Sequence, residues 1–340
     1  MTENKQALSK GALWIVGLVV LRLIFSFTLG DKVDVFARPR PAAFLLPSGS
    51  VDSPAPDTLQ EPDTTTEPTQ PPTEPSTEPT KPVADIPGEG LDLESADVSF
   101  VEVEYPSAKK ADTEALLTQP LNWDLTGEEP AVLIFHTHGT EAYTPTDGSS
   151  YQEEGGEFRT TNNSYNMISI GEELSRLLNE AGIHTVHDTA FYDYPDYPSA
   201  YDTARVGLQK QLQKYPTVKL VIDLHRDAAE WEDGTQWATE ATVNGEKSAQ
   251  VMLVMGTDTY YTHPNWEQNL SVALKLHAAM EKNHPGVTRP LDVRRQRFNQ
   301  DLSTGAVIAE VGAAGNTHEE AMNAISVLAE AIIRMAKGTV

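Results

Sequence analysis

The stretch AVLIFHTHGTE, residues 131–141, decides how the chain is read. Five apolar residues, Ala131 to Phe135, run without a polar interruption, which suits a strand buried on both faces in a parallel sheet flanked by helices. A polar cluster, His136, His138 and Glu141, follows at once. In open α/β sheets the carboxyl ends of the strands are where sites are built.

Outward from that stretch the pattern repeats. Residues 163–181 place Met167, Ile170, Leu174, Leu177, Leu178 and Ala181 on one helical face, and Gly182 is a natural stop. Apolar runs at 218–224, 250–256 and 306–312 read as further strands, and helical patterns lie at about 201–214, 266–282 and 317–337. The alternation predicts a single α/β domain with a mostly parallel, twisted sheet flanked by helices. We place this catalytic domain at 93–340, with its core at about 122–337. Residues 91–121 carry a weaker signal, in which VSFVEV (98–103) predicts at most a short strand.

The amino-terminal third has a different composition. Residues 11–30, GALWIVGLVVLRLIFSFTLG, are interrupted only by Arg22 and match the roughly 20 residues that cross a hydrocarbon core as a helix. Lys5 and Lys10 precede the run, so the positive-inside bias leaves residues 1–10 as a cytoplasmic tail and sends the rest outside. With no convincing cleavage site after it, the segment reads as a retained single-pass anchor in the cell membrane. Residues 31–92 follow as a linker rich in Pro, Thr and Glu, with too little apolar surface to offset the entropy of ordering. A net charge of -25 argues against nucleic acid as a partner and against anionic lipid as a ligand for the body of the protein. There is no cysteine, so a metal would be held by nitrogen and oxygen alone.

Three polar clusters fall at or near predicted strand ends: His136, His138 and Glu141; His225, Arg226 and Asp227; and Glu310 within AVIAEVG. A carboxylate inside an apolar strand is costly unless it is paired, protonated or near a cation. One explanation covers all three clusters: a zinc ion on His138, Glu141 and His225, with one position left for water. Glu310 is then the general base, and Arg226 and Asp227 bind substrate or support the ligands. If the strand continues through His136 and His138 they share a face, so one ligates while the other stabilises an oxyanion or binds substrate. The bland alternatives are an Arg226–Asp227 salt bridge and a Glu310 paired with Arg294, Arg295 or Arg297. The remaining histidines read as surface or core residues.

At these residues the sequence resembles the stage II sporulation protein P family. The resemblance lies in VLIFHTHGTEAYTP, LVIDLHRDA, NWEQNLSVALKLHAAMEKNHPGVTRPL and FNQDLSTGAVIAEVGAAGNTHEEAMNAISVLAEAI, four ordered segments across most of 131–335. It implies a zinc-dependent N-acetylmuramoyl-L-alanine amidase acting on peptidoglycan in sporulation, with cross-link endopeptidase activity also reported for the family. The implied fold is that of the amidase_3 group, whose strand ending in GHG supplies the first histidine; His138 takes that place here. His225 matches the later histidine and Glu310 the catalytic glutamate. The group's glutamate ligand begins the next helix, where this chain reads TTNNSYNM (160–167) without an acid, which leaves Glu141 as the substitute. The implied partners are engulfment proteins, a lytic transglycosylase and a membrane scaffold. The competing reading is a catalytically silent wall-binding or septal scaffold of the same fold; a zinc carboxypeptidase-like peptidase rests on HxxE alone.

Overall fold

The computed structural model describes residues 99–338, apart from 107, 108, 122, 147 and 232. The expected cytoplasmic tail at 1–10, the anchor at 11–30 and the whole linker at 31–92 lie outside the described residues. Among the described residues no helix is long and apolar enough to cross a membrane. All of them fall within the compact unit Arg40–Val340.

Each long periodic segment forms the element its pattern predicts. The run at 131–135 becomes β2 (Val132–Phe135), and the later runs become β4 (Leu220–Asp227), β7 (Val251–Gly256) and β9 (Ala306–Ala313). The helices are α2 (Met167–Glu180), α3 (Ala200–Lys214), α4 (Trp266–Asn283) and α5 (His318–Ala336), after a short α1 (Thr113–Thr118). Helix α2 starts where the Asn166 side chain accepts from the Ile168 N–H, and it ends before Gly182, whose φ of +81° suits a residue without a Cβ. Helix α5 opens with a capping box in which Thr317 and Glu320 satisfy each other's backbone N–H groups.

Short strands complete the sheet: β1 (Val103–Glu104), β3 (Thr185–His187) and β8 (Leu291–Arg294), while β5 (Ala241–Val243) and β6 (Glu246–Ser248) form a separate hairpin. The seven-stranded order is β1-β8-β7-β9-β4-β2-β3, parallel throughout except between β7 and β9. Because β2, β4 and β9 are parallel neighbours, their carboxyl ends open at one edge.

Period-two alternation divides β4 and β9 between two cores. Ile222, Leu224, Val307, Ala309 and Val311 join the main core with residues of α2, α4 and α5. Val221 packs with Leu133, Phe135 and α3 residues Ala204 and Leu208, and Ile308 packs with Met252, Val254 and Phe298. Asp223 and His225 of β4 alternate with Val221 onto the face under α3.

Candidate active site

The register of β4 and β9 pairs His225 with Glu310, so these two candidate residues stand beside each other on one face of the sheet. Asp223, two residues earlier, shares that face, and its Oδ1 lies 2.8 Å from His225 Nε2. Asp223 also accepts from the N–H and the hydroxyl of Thr137 at 2.7 and 2.6 Å, which ties the start of the β2 loop to β4. A bulge follows: Asp227, two positions after His225, pairs with Ala313, three positions after Glu310. Gly312, at φ +67°, sits within it; a Cβ there would come 2.8 Å from Ala249 and from Asn316 Oδ1.

Glu141 reaches the same point from the β2 loop. Its Oε2 lies 3.6 Å from His225 Nδ1, and Arg226 Nη1 lies 3.7 Å from Oε1. An isolated bridge between Ala142 and Asn166, together with Met167 N–H donating to the Glu141 carbonyl, holds Glu141 against the start of α2. Glu141 thus lies beside the start of α2, the segment TTNNSYNM that itself carries no acid. His138 closes the group, its ring edge-on to His225 at 5.2 Å between centroids and its Nδ1 4.0 Å from Asp193 Oδ2. All three side chains are buried.

The electrostatics differ from member to member. Burial pushes His138 down to about 3, which keeps it neutral, the form in which imidazole binds a metal. Burial also opposes charge on His225, but Asp223 and then Glu141 overcome it and raise its pKa well above the ordinary value. Burial opposes charge on Glu141 too, and Arg226 and His225 hold its carboxyl below the usual range. Glu310 is pushed up to about 8, by burial first and then by Asp227 and Glu141. Its Oε2 is buried without a hydrogen-bond partner, and among the described residues it forms no salt bridge, so pairing with Arg294, Arg295 or Arg297 does not account for it.

His136 does not join the group. Strand β2 stops at Phe135, so the two-residue repeat does not carry both histidines to one side. His136 follows Ile134 toward α2, where a Cβ on Gly171 would come 2.6 Å from its Nε2. Its Nδ1 lies 3.0 Å from the Leu224 carbonyl and its Nε2 2.8 Å from His187 Nε2. A carbonyl only accepts, so Nδ1–H donates to it and Nε2 receives the proton of His187. Both nitrogens are engaged, and burial pushes His136 down to about 3. The expected oxyanion or substrate role therefore has no free nitrogen. Arg226 and Asp227 do not pair with each other either: Arg226 donates to the carbonyls of Ala142 and Phe158, and Asp227 binds Arg289 at 2.7 Å.

Among the described residues no group of three or more His, Cys, Asp or Glu stands arranged to hold a metal ion. His225 and Glu141 are engaged with Asp223, Arg226 and each other instead. The chemistry of His138, Glu141 and His225 still fits zinc: two imidazoles and a carboxylate, with an aspartate behind each imidazole. The 3.6 Å between His225 Nδ1 and Glu141 Oε2 is close to the ~3.4 Å between two ligands of a tetrahedral zinc. Loading would have to release the proton of His225.

Several neighbours were not singled out from the sequence. Asp223 was legible as a second acid on the His225 face. Asp193, Tyr197 and Tyr201 come from a loop and helix start with no motif; Tyr197 stacks on His138 at 4.4 Å and Tyr201 meets it edge-on at 5.6 Å. They cover the group. Two open cavities of about 380 and 600 Å³ lie elsewhere, one beside Tyr143, Tyr165 and His318 and the other beside Tyr192 and Lys210, and neither is lined by His138, Glu141, His225 or Glu310.

Comparison with known proteins agrees with the motifs. The family model for stage II sporulation protein P matches residues 56–333. Stage II sporulation protein P of Bacillus subtilis (strain 168) is 28% identical over 270 residues, 73% of this chain and 64% of the relative, so the match spans just under two thirds of that protein's length. Among solved structures, the catalytic domain of CwlV, an N-acetylmuramoyl-L-alanine amidase from Bacillus (Paenibacillus) polymyxa var. colistinus, is 11% identical with a TM-score of 0.38, over 62% of this chain and 99% of that one. The N-acetylmuramyl-L-alanine amidase Ami1 of Mycobacterium smegmatis is also 11% identical, with a TM-score of 0.37 over 64% and 100%. Likeness at this level is too distant to assign an activity.

Proposed function

The chain belongs to the stage II sporulation protein P family, and from that premise we propose that it is a zinc-dependent N-acetylmuramoyl-L-alanine amidase of peptidoglycan. The observation that carries this reading is the convergence of His138, Glu141 and His225 beside Glu310, whose buried Oε2 has no hydrogen-bond partner and which forms no salt bridge among the described residues. His138, Glu141 and His225 are the residues that would hold zinc, which when bound supplies a Lewis acid for the amide carbonyl and makes water more acidic.

The rest of the chemistry belongs to the chain. Glu310 accepts a proton from the attacking water and delivers it to the leaving amine of the stem peptide, so the carboxylate is regenerated as the C–N bond breaks. Asp223 fixes the His225 ring and directs Nδ1 toward Glu141, and Asp193 faces Nδ1 of His138. Arg226 steadies Glu141, while His136 and His187 brace the β2 loop from the other side of the sheet. In this reading residues 11–30 anchor the protein in the cell membrane and residues 31–92 carry the domain outward into the wall at up to about 3 Å per residue. Cross-link cleavage and work beside engulfment proteins belong to the same proposal.

Metal analysis of the purified chain, paired with hydrolysis of isolated cell wall, tests it. About one zinc per chain is expected, with activity lost on chelation and restored by zinc. Full hydrolysis with zinc shown to be absent would overturn the metal mechanism.

A further inference from the structure

In a chain with 50 acidic residues, one guanidinium beside the site has no carboxylate within 4 Å among the described residues. Among the described residues Arg176, Arg205, Arg226, Arg289, Arg294, Arg297 and Arg334 each have a carboxylate within 4 Å. Arg159 has none. Its Nε is buried without a hydrogen-bond partner, and Nη1 makes only a long contact, 3.4 Å, to the Gly155 carbonyl.

The position is built rather than incidental. Arg159 is bridged through its backbone to Glu141, and its carbonyl accepts from Glu154 N–H, closing a tight loop over Gly155 and Gly156. Gly156, at φ +142°, leaves room for the guanidinium: a Cβ there would stand 3.0 Å from Nη1. The guanidinium lies 3.6 Å from the centroid of Tyr197, whose ring also stacks on His138 at 4.4 Å. At those distances one ring face takes each partner, so Arg159 sits one ring's thickness from His138.

We propose that Arg159 is a specificity-determining residue that receives a carboxylate of the substrate's peptide. The inference rests on the reading of the chain as a wall amidase, whose substrate peptide carries free carboxylates beyond the amide that is cut. A guanidinium binds carboxylate through two parallel N–H donors, and a stacked, preformed fork loses little freedom in doing so. The net charge of the chain repels acidic ligands, so this one cation selects where on the site an acid can lie.

The test compares a soluble glycan-peptide wall fragment that has free peptide carboxylates with the same fragment amidated. Arg159→Ala is expected to raise KM for the free-acid fragment about 10- to 100-fold, with kcat within a few-fold, as for the loss of a charge-assisted hydrogen bond. The amidated fragment should be affected far less, and Arg159→Lys should recover part of the loss. Equal losses on both fragments, or a fall in kcat alone, would overturn the proposal and leave Arg159 as a support for Tyr197. Affinity is read separately by calorimetry in a Glu310→Gln background, where Arg159→Ala should weaken only the free acid. Unchanged affinity there overturns the carboxylate role whatever the wild-type chain hydrolyses. Selective loss without any hydrolysis by the wild-type chain would keep it and sink the amidase reading instead.

Discussion

Leu224 and His225 are consecutive on β4, yet they belong to different chemistries. Leu224 points into a face where Ile222, Val307, Ala309 and Val311 pack against apolar residues of the helices. His225 points to the other face, among Asp223, Glu141 and Glu310, where His225, Asp223 and Glu141 are buried as well but the groups titrate. The two faces share a backbone and its hydrogen bonds, so the sheet cannot distinguish them; only the side chains do. Burial stabilises the first face and strains the second, because a carboxyl placed like Glu310 would be more at ease in water. Stability and reactivity are thus assigned to alternate residues of the same strands.

Three substitutions break or sharpen that contrast. The largest effect on turnover is expected from His225→Ala, which removes a proposed ligand: zinc content should fall to background, and wall hydrolysis with it. A variant that retains full zinc would move the metal site elsewhere. Glu310→Gln keeps shape and should keep zinc, with turnover down about 100-fold or more, as when a general base is lost. Should this variant lose zinc like His225→Ala, Glu310 is a ligand and Glu141 is free to serve as base. Leu224→Ala is the control from the opposite face: turnover per folded chain should stay unchanged, while denaturant unfolding shows a loss of about 3 kcal/mol from the cavity. If turnover falls in proportion, the two faces are coupled and the division fails.

The same alternation explains what could be read from sequence. Runs such as 218–224 and 306–312 are long enough for their apolar pattern to dominate, and the helices at 163–181 and 317–337 show a clear apolar stripe; these elements formed where expected. Strands β3, β5, β6 and β8 have three or four residues each, too few for a period to register, and they were missed. The reversed direction of β7 against β9 leaves no mark on composition. His138, Glu141, His225 and Glu310 stood out because each follows or interrupts an apolar run. His136 satisfied the same rule and misled, since its place depends on where β2 ends. Asp193, Tyr197 and Arg159 come from loops, and only tertiary contacts bring them to His138.

The sheet narrows to almost nothing at its flanks. Its outermost strands are β3, with three residues, and β1, with two, and none of their side chains is fully buried. An edge that short presents a passing chain with very few unpaired amides, and so gives little template for strand addition. A protein proposed to be anchored in a membrane can therefore meet other copies of itself without its long central strands seeding a fibril.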